Sequence, residues 1–189
     1  GWMGFTNVRL VKIADVEATV AYTFGAEYGT LMLPFNADKP EGMEVYSCEA
    51  TESNGSTLTL EAQTSIAANT PYIVKKTGET EIFEFTGTSV RENNTYTAGW
   101  LTGTYEDITA PNDSYVLQNQ DGTVGFYLVD TSVATPKVKA NRAYLTVPAA
   151  SEARAFFFDD VTGINAVEAQ DGNAAIYDLS GRRVQKAVK

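Results

Sequence analysis

Twenty-four acidic side chains and no histidine limit the chemistry open to this 189-residue chain. Without histidine there is no Ser-His-Asp or Cys-His nucleophile machinery. Histidine-ligated zinc, copper and iron sites are excluded as well. Cys48, the single cysteine, lacks a histidine base and cannot close a disulfide within the chain. A small apolar strand residue is its plainer role. Carboxylates remain. A glycosidase needs two of them at a set separation, and Glu106-Asp107, Asp113 and Asp159-Asp160 are available. Neighbours on a strand point to opposite faces, so Asp159 and Asp160 do not converge on one substrate. Capping of the final strand is their plainer role, and solvated surface is the default for so many acids. The expectation is a chain that is not an enzyme and has no catalytic residues.

Binding is the alternative chemistry. Trp100, Tyr105 and Tyr96 lie close together in sequence, with Trp2 further off. Aromatic rings on a β surface stack on sugar faces, while Asn, Asp and Gln bond the hydroxyls. Gly99 and Gly103 flank Trp100 and would allow a bulge that exposes its ring. The competing role is core packing of Trp100 beside Leu101, which strands provide routinely. Calcium could use oxygens in Ala110-Pro111-Asn112-Asp113 or Gln120-Asp121-Gly122. No D-x-[DN]-x-[DN]-G loop occurs, so calcium is a minor option, and no metal site or cofactor is assigned.

The formal net charge is −10, from 24 acids against 14 bases. Such a surface repels phosphate backbones and anionic membranes, which argues against a nucleic-acid partner. Arg182-Arg183 with Lys186 and Lys189 reads as a solvated tail. No apolar run approaches the length of a membrane span.

These side chains are carried on short segments that alternate with period two and are rich in β-branched and aromatic residues. Strands are expected over residues 8–13, 17–22, 30–35, 43–50, 57–62, 71–76, 81–85, 100–105, 114–118, 123–129, 142–148 and 154–158. Ser53-Asn54-Gly55-Ser56 and Asn119-Gln120-Asp121-Gly122 carry hairpin-turn chemistry. The fold class that follows is all-β, an antiparallel β-sandwich (jelly-roll-like or barrel-like) spanning residues 1–162. Residues 163–189 read as a linker and a short C-terminal β-hairpin, with strands around Ile176 and Val184.

One pattern recurs. Ile66-Ala67-Ala68-Asn69-Thr70-Pro71-Tyr72-Ile73 and Val138-Lys139-Ala140-Asn141-Arg142-Ala143-Tyr144-Leu145 both read apolar-x-Ala-Asn-x-x-Tyr-aliphatic. Ala110-Pro111-Asn112-Asp113-Ser114-Tyr115-Val116 is a looser third copy. A repeated ligand loop is one reading. Turn chemistry is the favoured one, because Asn tolerates left-handed backbone and Tyr then enters a strand.

Two stretches carry a resemblance. Tyr28–Phe35, Pro40–Tyr46, Ile66–Tyr72, Val124–Tyr127 and Ala140–Leu145 occur in an order that resembles a β module found near the C-terminus of secreted Bacteroidetes surface proteins. Ile176-Tyr177-Asp178-Leu179-Ser180-Gly181-Arg182-Arg183-Val184 is similar to the opening of the C-terminal sorting domain read by the type IX (Por) secretion system, in incomplete form. The resemblance implies an extracellular or cell-surface location on a Gram-negative bacterium. It also implies neighbouring domains in a larger parent chain, and a glycan or surface protein as partner. The expected function is a non-catalytic structural or adhesion-type module, with a carbohydrate-binding module accompanying a glycan-active domain as the alternative.

Overall fold

The computed structural model describes residues 16–49, 57–147, 153–158, 176–177 and 183–184. Every regular element among them is a strand. In chain order these are β1 (Glu17–Thr23), β2 (Tyr28–Leu31), β3 (Ala37–Asp38), β4 (Met43–Glu49), β5 (Thr57–Gln63), β6 (Ser65–Ile66), β7 (Tyr72–Lys76), β8 (Ile82–Thr88) and β9 (Thr95–Ala98). They continue with β10 (Leu101–Thr104), β11 (Ile108–Thr109), β12 (Tyr115–Gln120), β13 (Thr123–Leu128), β14 (Lys137–Val138), β15 (Arg142–Leu145), β16 (Ala155–Phe158), β17 (Ile176–Tyr177) and β18 (Arg183–Val184). No helix among the described residues is long and apolar enough to cross a membrane.

The chain divides into two units, Gly1–Asp159 and Asp160–Lys189. In the second, β17 and β18 pair antiparallel, Ile176 opposite Val184, which is the expected C-terminal hairpin. The expected strand at 8–13, the turn at 53–56 and the boundary at 162–163 lie outside the described residues.

In the first unit, ten strands form one sheet in the order β2-β7-β4-β5-β16-β13-β12-β15-β10-β9. All its pairs are antiparallel except β16 with β5. The sheet curls on itself. Thr30 Oγ1 in β2 accepts from the Ala143 N–H in β15 (2.9 Å) and donates to the Ala143 carbonyl (3.2 Å). The Met32 N–H reaches the Asn141 carbonyl (3.1 Å). One core cluster fills the curl, with Tyr28, Cys48, Leu58, Ile73, Leu101, Tyr115, Phe126, Ala143, Leu145 and Phe156 drawn from every strand of the sheet except β9. Side chains from both ends of the strand order meet there, as a barrel-like closure requires.

A second cluster lies on the outer face. Among the described residues β1 pairs with β8 alone, and this two-stranded layer presses Val20, Tyr22, Phe83 and Phe85 onto Leu31, Met43, Val45, Tyr72 and Val74. The alternation of β1 and β8 is therefore strict, with Thr19, Ala21, Glu84 and Thr86 exposed. β4 is covered on both sides: Val45 enters the outer cluster and Cys48 the inner one. A three-residue separation puts side chains on opposite faces of a strand, so the alternation holds through Cys48 without a bulge.

The two halves of this unit repeat one another. β2–β7, β3–β6, β4–β5 and β4–β7 pair in the first. β10–β15, β11–β14, β12–β13 and β12–β15 pair in the second. Loop hydrogen bonds repeat too. The Asn69 N–H donates to the Leu33 carbonyl (2.7 Å) and the Asn141 N–H to the Thr104 carbonyl (2.8 Å). Asn36 Oδ1 accepts from the Ala68 N–H (2.8 Å), and Asp107 Oδ1 from the Ala140 N–H (2.9 Å). Both asparagines are left-handed, at φ 58° and 62°.

The looser third copy is a different turn. The Ser114 N–H bonds back to the Pro111 carbonyl (3.3 Å), as the Met43 N–H does to Pro40 (3.4 Å). Asp113 (φ 60°) thus matches Gly42 (φ 83°), and Pro111-Asn112-Asp113-Ser114 is the counterpart of Pro40-Glu41-Gly42-Met43. Where the halves diverge is in their outer strands. β1 and β8 cap the first half, whereas β9 and β16 join the large sheet. The corresponding face of the second half keeps a small cluster of Ala110, Val116, Val129 and Val138.

Candidate functional site

The three aromatic candidates are not assembled into one platform. Tyr105 is 7% exposed. Its hydroxyl donates to the Leu33 carbonyl (2.8 Å) and meets Asn69 Oδ1 (2.7 Å). Arg91 lies over its ring at 4.9 Å and Tyr96 meets it edge-on at 6.0 Å. Burial, with Tyr96 nearby, raises the Tyr105 hydroxyl above its ordinary range. Tyr96 is half-buried, and its hydroxyl accepts the N–H groups of Glu92 (2.8 Å) and Asn93 (2.9 Å). Trp100 is half-buried elsewhere, edge-on to Phe156 at 6.1 Å and packed against the inner cluster. Trp2 and Asp159-Asp160 lie outside the described residues.

The acids hold loops in place. Glu106 accepts from Asn94 Nδ2 (2.7 Å) and pairs with Arg91 (3.8 Å). Its neighbour Asp107 bonds Lys139 Nζ (2.7 Å) and the Ala140 N–H. The Lys139 bond, then the Ala140 bond, hold its carboxyl below the usual range. Asp130 is lowered in the same way by the Ser132 hydroxyl and N–H. Of the two candidate calcium loops, the one at Asn112-Asp113 uses side-chain oxygens internally. Asn112 Oδ1 accepts from the Thr131 N–H (3.1 Å) and hydroxyl, and Asn112 Nδ2 donates to Asp113 Oδ2. Asp121 (φ 51°) and Gly122 (φ 86°) form the primed turn of the β12–β13 hairpin. Among the described residues, no three of Asp, Glu and Cys stand close enough together to hold a metal ion.

Sequence reasoning missed a cavity of about 350 Å³ where the β1–β2 loop of the first half faces β12, β14 and β15 of the second. Arg142, the first residue of β15, lies in its wall. The Arg142 guanidinium donates to the Thr23 carbonyl (3.1 Å) and stacks over the Tyr22 ring at 3.8 Å. Burial lowers its pKa from the ordinary value, with Tyr22 acting in the opposite sense. Burial also pushes the Tyr22 hydroxyl up to about 12, against a smaller lowering by Arg142. Gly29 makes the arrangement possible, because a Cβ there would overlap the Tyr22 hydroxyl. Lys137, Lys139, Gln118 and Asn119 also line the cavity, and no described acid does.

Arg142 differs from most of the other cations. Lys39, Lys75, Lys76, Arg91 and Lys139 each hold a carboxylate. Among the described residues none pairs with Arg142. One signal in the sequence pointed to it: the position after the repeated Ala-Asn is Thr70 in the first copy and Arg142 in the second. No protein family, curated protein or solved structure matches the chain.

Proposed function

We propose that the chain is a non-catalytic structural or adhesion-type module of a secreted or cell-surface bacterial protein. The observation that carries this reading is the use made of its polar groups. Asn36 and Asp107 cap equivalent loops in the two halves. The Tyr105 and Tyr115 hydroxyls hold the Leu33 and Ala153 carbonyls, each at 2.8 Å. Side chains committed to cross-links of this kind rigidify a scaffold, and a proton-transfer group needs the freedom to bond substrate. The cell-surface setting and the neighbouring domains rest on the resemblance of Tyr28–Leu145 and Ile176–Val184 to secreted Bacteroidetes material.

The second reading is a carbohydrate-binding module, and the observation that favours it is the Arg142 cavity. Its volume lies within the range of small-molecule sites, and it combines fixed polar groups with apolar wall. The test pairs two assays on the whole chain. Chromogenic glycosides and esters are incubated with it, and chain-coated beads are offered to immobilised mucin and bacterial glycans. Attachment with no product is expected. Product that scales with protein concentration overturns the non-catalytic reading, and failure to attach to any surface overturns the adhesion reading.

A further inference from the structure

We infer that the Arg142 cavity binds a small acidic sugar, about one ring in size, through the ligand's carboxylate. The inference rests on the carbohydrate-binding reading of this cavity and names its ligand class.

The chain carries ten more acids than bases, yet three cations and no described acid line this cavity. Lys139 is already paired with Asp107 (2.7 Å), and Lys137 donates to the uncharged Thr109 hydroxyl. Arg142 remains without a carboxylate among the described residues, although it is half-buried and fixed by the Thr23 carbonyl and the Tyr22 ring. A guanidinium presents five donors in a planar fork that fits a carboxylate with two parallel bonds. Here one donor is committed to backbone and one face to an aromatic ring, so orientation is set before a ligand arrives.

A cavity of about 350 Å³ is larger than one inorganic oxyanion fills. Gln118 and Asn119 add amide donors and acceptors that suit ring hydroxyls. Tyr22 is not a stacking platform, since its ring already faces Arg142 and Phe24. Tyr28, the other aromatic of the wall, is already stacked on Phe158 at 4.2 Å, with Lys75 over its ring at 4.9 Å. Recognition therefore runs mainly through charge and hydrogen bonds.

The test is an NMR titration of the whole chain with D-galacturonate, D-galactose and inorganic phosphate as separate probes. The expected result is saturable amide shifts at Gly25, Ala26, Gly29 and Asn119 with galacturonate, and much weaker ones with galactose. Arg142→Lys keeps the charge but loses the fork, and should weaken galacturonate about tenfold or more. Lys137→Ala, at an exposed position, should weaken it less and increases the safety of the comparison if Arg142→Lys unfolds. Galactose shifting the same amides as strongly as galacturonate would overturn the acidic-ligand assignment and leave the sugar-binding reading standing. Phosphate binding as tightly as galacturonate would reduce the site to a general oxyanion pocket and overturn the sugar assignment. Shifts that map elsewhere, or none with any probe, would overturn both the inference and the reading it rests on.

Discussion

Asn69 and Asn141 occupy the same left-handed turn in the two halves, but their side chains do different work. Asn141 supplies backbone conformation, because no side-chain bond of its own is seen among the described residues. Asn69 also meets the Tyr105 hydroxyl and donates to the Val90 carbonyl (3.2 Å). Left-handed backbone costs a residue with a Cβ roughly 1–2 kcal/mol, less for Asn. Asn141→Ala should therefore destabilise by about 1 kcal/mol and Asn141→Gly by under about 0.5 kcal/mol. Asn69→Ala should cost about 1 kcal/mol more than Asn141→Ala, since it strips a partner from Tyr105. Urea unfolding of the three variants checks the order. Tyr22 gives a residue-scale prediction in pH. Its proton is held to about 12 in the fold, against an ordinary 10.0. Unfolded Tyr22 ionises first, so stability falls as pH rises from 10 towards 12, by up to about 3 kcal/mol at 1.4 kcal/mol per unit. Tyr22→Phe should remove that part of the alkaline loss in urea titrations at pH 9 to 12, while the parts due to buried Tyr105 and half-buried Tyr144 remain.

Most of the longer strands were legible as elements because each buries a face. β1 and β8 expose Thr, Glu, Ala and one apolar residue, Ile82, at every second place and bury Val20, Tyr22, Phe83 and Phe85 between. The short pairs β3–β6 and β11–β14 were not legible. Two residues carry no periodicity, and their register comes from the longer ladders beside them. β9 was hidden for another reason: Thr95–Ala98 is an edge strand with exposed threonines and no core residue. The duplication left only the Ala-Asn-x-x-Tyr trace, since backbone turns constrain residue type and pairing does not. The cavity was illegible because its walls, Thr23–Thr30 and Lys137–Ala143, are brought together only by the curl of the sheet. Gly29 joins element to site. Gly29→Ala should displace the Tyr22 ring and with it Arg142, costing about 1–3 kcal/mol by overpacking. Thermal unfolding reads the cost, and the Tyr22 ring signals in NMR report the displacement.

Across the whole first unit, one curled sheet serves two large cores and a third, small one, and the asymmetry between the halves accompanies the opening. β1 and β8 cover the first half, and the loop leaving β1 faces the second half, where no equivalent layer lies among the described residues. The proposed binding cavity lies at the join of these two related halves. The most direct measurement passes a short galacturonate oligomer, whose terminal ring is the ligand inferred for the cavity, over the immobilised chain and records both elution volume and mass. Delayed elution with unchanged mass is the result predicted for a non-catalytic binding module. Elution without delay, or recovery of shorter or chemically altered sugar, would contradict it.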